Sequence, residues 1–172
     1  MKKLTLVTAL TLALSAPAFA VTADLWNAAK GVAGKGAVGP LEKQINKTLL
    51  EESRKNQCSF KSGSDELEAG CDAKAKRLGT ALIDAKKKLN NAGVKNFKFE
   101  VSGHTDTVGS ADANKTLSEK RAAVMKRQLT AHGVPADEII VVGAGASKPL
   151  VKPDDTPAKK AKNRRYEIQV RL

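Results

Sequence analysis

Apolar residues recur at two periods along this chain, and the switches between them mark its elements. Leu41, Ile45 and Leu49 follow Pro40 at four-residue steps, one apolar stripe on a short helix ending near Arg54. Gln57 to Lys61 has the length of a short strand. Leu67, Cys71, Leu78, Leu82, Ala85 and Leu89 then recur at steps of three, four or seven, an amphipathic helix with Lys74, Lys76, Lys86, Lys87 and Lys88 on its outer face. Asn90-Asn91-Ala92-Gly93 closes it. Phe97, Phe99 and Val101 alternate with Lys98, Glu100 and Ser102, the period of a half-buried strand. A polar loop runs from Gly103 to about Thr116, and Thr116 to Glu119 has capping-box spacing. A second helix follows from about Leu117 to His132, with Leu117, Met125 and Leu129 inward and Gly133 as its stop. Glu138 to Val142 reads as a strand, Gly143 to Lys162 as a long mobile connection, and Tyr166, Ile168 and Val170 as a last strand.

The order is therefore strand, helix, strand, helix, strand, loop, strand. Helices between strands demand crossovers and hence some parallel pairing, with helices covering one or both faces of the sheet. This is an α/β class, a compact α+β sandwich starting near Asn56, preceded by a basic N-terminal arm. No internal repeat is present.

The first twenty residues read as a secretory signal, with Lys2 and Lys3, the apolar run Leu4 to Ala16, and Ala18-Phe19-Ala20 as the cleavage site. That run is shorter than the ~20 residues a spanning helix needs, and no cysteine near it suggests lipidation. The expected organisation is a signal peptide at 1–20, an Ala/Gly-rich and then helical arm at 21–55, and the main domain at 56–172. No transmembrane segment is expected in the mature chain. Removing Lys2 and Lys3 lowers the formal charge from +12 to +10. A basic exported chain is drawn to anionic envelope surfaces. One Trp, one Tyr and four Phe offer little surface for stacking bases, and nucleic acid is not an expected partner. The chain's two cysteines, Cys58 and Cys71, both lie in the exported part, and an even count in an oxidising compartment favours a disulfide. Two free thiols or half of a metal site are the alternatives, but two histidines and no C-x-x-C pair argue against metal.

Candidate chemistry concentrates after the Phe97–Val101 strand. Asp106 lies just past its end, and Arg121 follows fifteen residues later in the first turns of the next helix. Ligands of α/β folds bind outside the carboxyl ends of strands, where helix N-termini offer free N–H groups. A guanidinium fork takes a carboxylate bidentately, a carboxylate takes an ammonium, and Asn114 can donate or accept. Together they suit a zwitterion with both charges on one carbon. The bland alternative is that Asp106 and Arg121 pair with each other and pin the loop to the helix.

Ser64-Asp65-Glu66-Leu67, Gly103-His104-Thr105-Asp106 with Gly109, Asn114, Leu117-Ser118, Arg121-Ala122, Leu129, Gly133-Val134, Gly143 to Gly145, Pro149, and Asn163-Arg164-Arg165-Tyr166-Glu167-Ile168 follow one another in order. In that order the chain from about Gln57 to Leu172 resembles the OmpA C-terminal-like (OmpA/MotB/Pal-type) peptidoglycan-binding family. The resemblance implies a βαβαββ domain, with a mixed four-stranded sheet packed by two main helices. It also implies non-covalent binding of the meso-diaminopimelate in the peptidoglycan stem, by a periplasmic protein associated with the outer membrane or wall. Asp106 and Arg121 take the positions of the ligand clamp and Asn114 that of the Asn between them. Thr105 flanks the pocket, and Arg164 and Arg165 give support or ligand contact. Val108 replaces a small polar residue of the binding loop, Tyr166 takes a position where Val is commoner, and Cys58-Ser59-Phe60-Lys61 is more polar than usual.

Two other readings compete. Ser102, His104 and Asp106 alternate along one strand and its exit, which does not make a nucleophile–base relay, and no enzyme or cofactor is expected. His104 fits a structural hydrogen-bonding role. Metal binding by His104, Asp106 and Asp112 lacks a well-placed further ligand. The remaining alternative is a protein-interaction module, with the basic surface and residues 21–55 docking on an envelope partner.

Overall fold

Two periods in the sequence become two layers in space. The computed structural model describes residues 38–61 and 63–172. The expected signal peptide and the arm up to residue 37 lie outside the described residues. The elements are α1 (Val38–Lys55), α2 (Cys71–Asn91), β1 (Lys98–His104), α3 (Ala111–Ala131), a single 3-10 turn (Ala136–Glu138), β2 (Ile139–Gly145), α4 (Pro157–Asn163) and β3 (Arg165–Arg171). The sheet order is β2-β1-β3. β1 runs parallel to β2, with α3 as the crossover, and antiparallel to β3. Phe99, Val101, Ile139, Tyr166, Ile168 and Val170 form a core with Leu78, Leu82 and Leu89 of α2, Met125 and Leu129 of α3, and Ile45 and Leu49 of α1. No helix of the described residues is long and apolar enough to cross a membrane.

The mixed α/β character agrees with the sequence, but the sheet has three strands among the described residues, not four. Gln57 to Lys61 makes only one antiparallel bridge, Phe60 to Leu67. Side-chain amides meet the outer edge of β3 instead. Asn46 of α1 donates to Val170 O at 3.3 Å and accepts from Val170 N at 2.6 Å. Gln57 donates to Tyr166 O at 2.7 Å and accepts from Tyr166 N at 3.2 Å. A primary amide carries the same donor and acceptor as a peptide group, so each satisfies one backbone position as a fourth strand would. Such cover also blunts an edge that would otherwise template association. Tyr166 holds the same segment from below. Its hydroxyl donates to Asn56 O and accepts from Cys58 N at 3.2 Å, and burial pushes its phenol pKa up.

Two glycines set how closely α3 lies on the sheet. A Cβ at Gly103 would meet Ser118 O at 2.1 Å, and one at Gly143 would meet Lys115 O at 2.5 Å. Ser118 is fully buried at this contact; its hydroxyl donates to Lys115 O at 2.8 Å and accepts from Gly145 N at 2.9 Å.

Helix boundaries also move. α2 starts at Cys71 rather than Leu67, because Leu67 is used in the bridge to Phe60. α3 starts at Ala111, well before Leu117, and its cap is Ser110, whose hydroxyl accepts from Ala113 N at 3.2 Å, not Thr116. The apolar period is silent there because the buried stripe is polar, running through Asn114, Ser118 and Arg121. The 143–162 connection is more ordered than expected. β2 continues to Gly145, and α4 forms behind a Thr156 cap.

Cys58 and Cys71 form the expected disulfide, with Cα atoms 5.1 Å apart and both residues buried. It fastens the bridged segment to the first residue of α2. Replacing both cysteines by Ala should lower the unfolding free energy by about 3 kcal/mol on chain-entropy grounds, read as a shifted urea midpoint. Gly103→Ala should cost about 3 kcal/mol or more, because the obstructing atom is backbone and cannot swing aside. A wild-type midpoint for that variant would disprove the close-contact account.

Candidate functional site

A cleft of about 1000 Å³ opens at the C-terminal end of β1. The register between β1 and β2 shifts between Gly103 and His104, and Thr105 N then donates to Gly145 O at 2.9 Å. The chain leaves the sheet there, and the following loop is held from both sides. Asn114 of α3 donates to Asp106 O at 3.4 Å and to Val108 O at 3.0 Å. Opposite it, Asp154 accepts from Thr107 N at 2.9 Å and from the Thr107 hydroxyl at 2.5 Å. These bonds, the hydroxyl's foremost, hold the Asp154 carboxyl below its ordinary pKa. Asn163 is fully buried behind Asp154. It donates to Asp154 at 3.2 Å and to Val151 O at 3.0 Å, and accepts from Leu150 N at 2.8 Å and Val151 N at 3.1 Å.

Asp106 and Arg121 both line this cleft, yet they are not an ion pair, so the bland alternative does not describe the site. One Asp106 oxygen accepts from Val108 N at 3.1 Å, and the other meets Arg164 Nη1 at 2.8 Å. Arg121 instead donates from Nε to Ser64 O at 2.9 Å and from Nη2 to Lys61 O at 3.5 Å. Its guanidinium lies 5.1 Å from the centre of the Phe60 ring, a cation–π contact that also fixes its plane. Burial, then the charge of Arg164, lowers the Arg121 pKa, while Asp106 and Asp65 oppose that shift. Arg121 sits ten residues into α3, roughly 15 Å along its axis. The free N–H groups of the helix start are therefore not beside it, contrary to the expectation from sequence.

The Asn163-Arg164-Arg165 run divides by direction. Arg164 reaches Asp106 with 45% of its side chain exposed, whereas the Arg165 side chain is 7% exposed. Arg165 donates to Glu167 at 2.8 Å, to Lys148 O at 3.0 Å and to Asn163 O at 3.3 Å. Its bonds brace β3 and the 148–163 segment. Thr105 is buried, and its Oγ1 has no partner among the described residues. Thr107 and Asp154 were not singled out in the sequence, and Phe60, Lys61 and Ser64 were read as strand and motif residues with no role beside Arg121. Asp154 lies in a Lys- and Pro-rich stretch with no spacing signal linking it to residue 107.

His104 lies at the base of the cleft and is 3% exposed. Its Nε2 is 3.3 Å from the Ser102 hydroxyl and 3.9 Å from Glu167 Oε2. Burial and then Arg165 push its pKa down to about 4, against the opposing charge of Glu167. The ring is therefore neutral in the folded state at neutral pH.

A two-layer α/β domain with a charged cleft beyond its central strand defines a binding module. The chain belongs to the OmpA family, whose model matches residues 59–164. Domains of this family are non-catalytic and typically periplasmic, associated with the outer membrane. The chain is 31% identical over 147 residues to outer membrane protein A of Escherichia fergusonii, covering 80% of this chain and 59% of that one. It is 44% identical over 71 residues to outer membrane porin F of Pseudomonas fluorescens, covering 41% of this chain and 22% of that one. The chain thus spans less than two thirds of the length of these relatives. Among solved structures, its fold is similar to the peptidoglycan-associated lipoprotein from Burkholderia pseudomallei, at 24% identity and TM-score 0.52 over 66% of this chain and 86% of that one.

The lowered His104 pKa has a testable consequence. The unfolded imidazole titrates near its ordinary value and the folded one near 4, so the unfolded chain binds more protons between about pH 6.5 and 4. This contribution to stability is complete above that window and is lost as pH falls through it, at no more than about 1.4 kcal/mol per pH unit. His104→Gln should flatten the slope of urea-derived stability between pH 7 and pH 4.5. An unchanged slope would assign the acid sensitivity to carboxylates.

Proposed function

We propose that this domain binds peptidoglycan non-covalently through the meso-diaminopimelate of the peptide stem. The observation that carries this reading is the separation of Asp106 and Arg121, which line one cleft without neutralising each other. Asp106 offers an anion for the ligand ammonium, and the guanidinium of Arg121 faces the same space with its plane already fixed by Phe60 and two carbonyls. A donor fork immobilised before binding loses little conformational freedom when a carboxylate arrives. Thr105 adds a buried hydroxyl with an unused donor at the wall of the cleft. Asn114 shapes the Asp106 loop through its two carbonyl contacts. Arg164 contributes at the rim, and Arg165 supports from behind. The stem residue's free end is zwitterionic, which matches an acid and a base sharing one cleft. An N-terminal secretory signal, read from sequence, would deliver the chain to the compartment that holds this polymer.

The competing reading assigns the main role to protein contacts through residues 21–55. It is narrowed by the use of α1 inside the fold, where Ile45, Leu49 and the Asn46 amide are committed to the core and to β3. Any partner site in that arm would fall on residues 21–37 and on the outer face of α1.

Co-sedimentation with purified sacculi tests the proposal. Binding should be saturable, should persist at moderate salt and should be displaced by free meso-diaminopimelate. Asp106→Asn keeps the loop's shape and should weaken binding at least tenfold, about 1.4 kcal/mol. Arg121→Ala should abolish binding but also frees the Phe60 segment, so Asp106→Asn is the cleaner variant. Binding that fades with salt, ignores the amino acid and survives Asp106→Asn would mean bulk electrostatic adhesion instead.

A further inference from the structure

The Asp106 carboxylate already carries a cation. Arg164 Nη1 lies 2.8 Å from Asp106 Oδ2, in the position where an ammonium would have to dock. We propose that Arg164 is a specificity-determining residue that pairs with Asp106 at the ammonium subsite of the cleft, rejecting simple amines and admitting zwitterions. This inference rests on the reading of Asp106 and Arg121 as the two ends of the ligand site.

Three observations carry it. Asp106 is well enclosed, its side chain 13% exposed, and one of its oxygens is already used by Val108 N, so the face held by Arg164 is its principal remaining acceptor. Arg164 is less enclosed, at 45%, and follows α4 as its C-terminal cap residue, so it can leave without disturbing the core. Its neighbour Arg165 is locked inward by Glu167, Asn163 and Lys148, so the leaving motion is confined to one side chain. Arg164 also lies close enough to Arg121 for its charge to lower the Arg121 pKa, though less than burial does. Arg121 and Arg164 thus both face one cleft, and a carboxylate placed between them is attracted by both.

The discrimination follows from charge balance. An amine that displaces Arg164 from Asp106 returns an unpaired guanidinium to the cleft beside Arg121, and gains only what Arg164 gave up. A zwitterion brings its own anion, which receives the displaced guanidinium, so the number of paired charges rises. The same exchange explains how a cleft lined by Arg54, Lys160, Lys162 and Arg164 can accept a ligand bearing an ammonium.

The test compares meso-diaminopimelate with 1,5-diaminopentane, which has the same amine spacing and no carboxylates. Binding is followed by amide chemical shifts of residues 105–109 in the wild type, Arg164→Gln and Lys162→Gln. Lys162 lines the same cleft without pairing to Asp106, and so controls for loss of one positive charge. Arg164→Gln should bind the diamine about three- to tenfold more tightly than the wild type. Its affinity for meso-diaminopimelate should change less, so selectivity collapses, while Lys162→Gln should leave that selectivity within about twofold. Equal diamine affinity in the wild type and Arg164→Gln, or an equal gain in Lys162→Gln, would overturn the inference while leaving the zwitterion site intact. Failure of meso-diaminopimelate to shift residues 105–109 in any of the three proteins would instead overturn the site itself.

Discussion

The contact between the backbone of α3 at Ser118 and the backbone of β1 at Gly103 governs most of what this domain can do. No residue with a Cβ fits at position 103, and Gly143 repeats the condition on the neighbouring strand. The buried Ser118 hydroxyl then bonds across the seam to Gly145 N. With α3 seated at that depth, Asn114 lies four residues before the contact and Arg121 three after it, on the same helix face. One side chain secures the loop that carries Asp106, and the other closes the cleft from the opposite side. A helix held farther from the sheet would loosen both together.

Arg121 shows how a buried charge is kept serviceable. Its guanidinium is desolvated, its Nε and Nη2 are spent on two carbonyls, and its flat face rests on Phe60. Each of those partners belongs to the 58–66 segment, which Tyr166, Gln57 and the disulfide tie down in turn. The segment that sequence reads as a fourth strand is thus employed otherwise. With amide side chains meeting the edge of β3, the carbonyls of this segment turn elsewhere, and Lys61 O accepts from both Ser64 N and Arg121. Polar networks of this kind hold a single geometry well when every member is satisfied and poorly when one is missing.

The core helices and strands were legible because their packing is apolar and periodic. Leu78, Leu82 and Leu89, or Phe99 and Val101, announce both an element and its buried face. The first half of α3 was not, since Asn114, Ser118 and Arg121 are buried for polar reasons that hydrophobic spacing does not register. Asp106, Arg121 and Asn114 were nominated by motif order, and the structure brings all three to one cleft. The bracing was hidden for a different reason. Thr107 and Asp154 are 47 residues apart and Arg121 and Ser64 are 57 apart. Such pairs are set by tertiary geometry alone. Strand Gln57–Lys61 was misread because length and position suggested pairing, while the side chains of Gln57 and Asn46 satisfy the sheet edge directly.

Net charge and cleft chemistry answer different questions in this protein. A formal charge of +12 over the whole chain biases encounters toward any anionic polymer, but that field is screened within about 8–10 Å at physiological salt. It therefore affects how often the domain meets an envelope surface and not which group it selects there. Selection belongs to enclosed groups such as Asp106 and Arg121, where solvent screens less and hydrogen-bond geometry restricts the partner. Arg164 stands between the two regimes, exposed enough to move yet paired with an enclosed carboxylate. Cations outnumber carboxylates in the lining of the cleft, where Glu68 and Asp106 face Arg54, Arg121, Lys160, Lys162, Arg164 and Arg165, so acceptors such as Asp106 are its scarce groups. A ligand that approaches Asp106 must compete with the protein's own guanidinium, which turns a surface attractive to anions into a site that also recognises an ammonium.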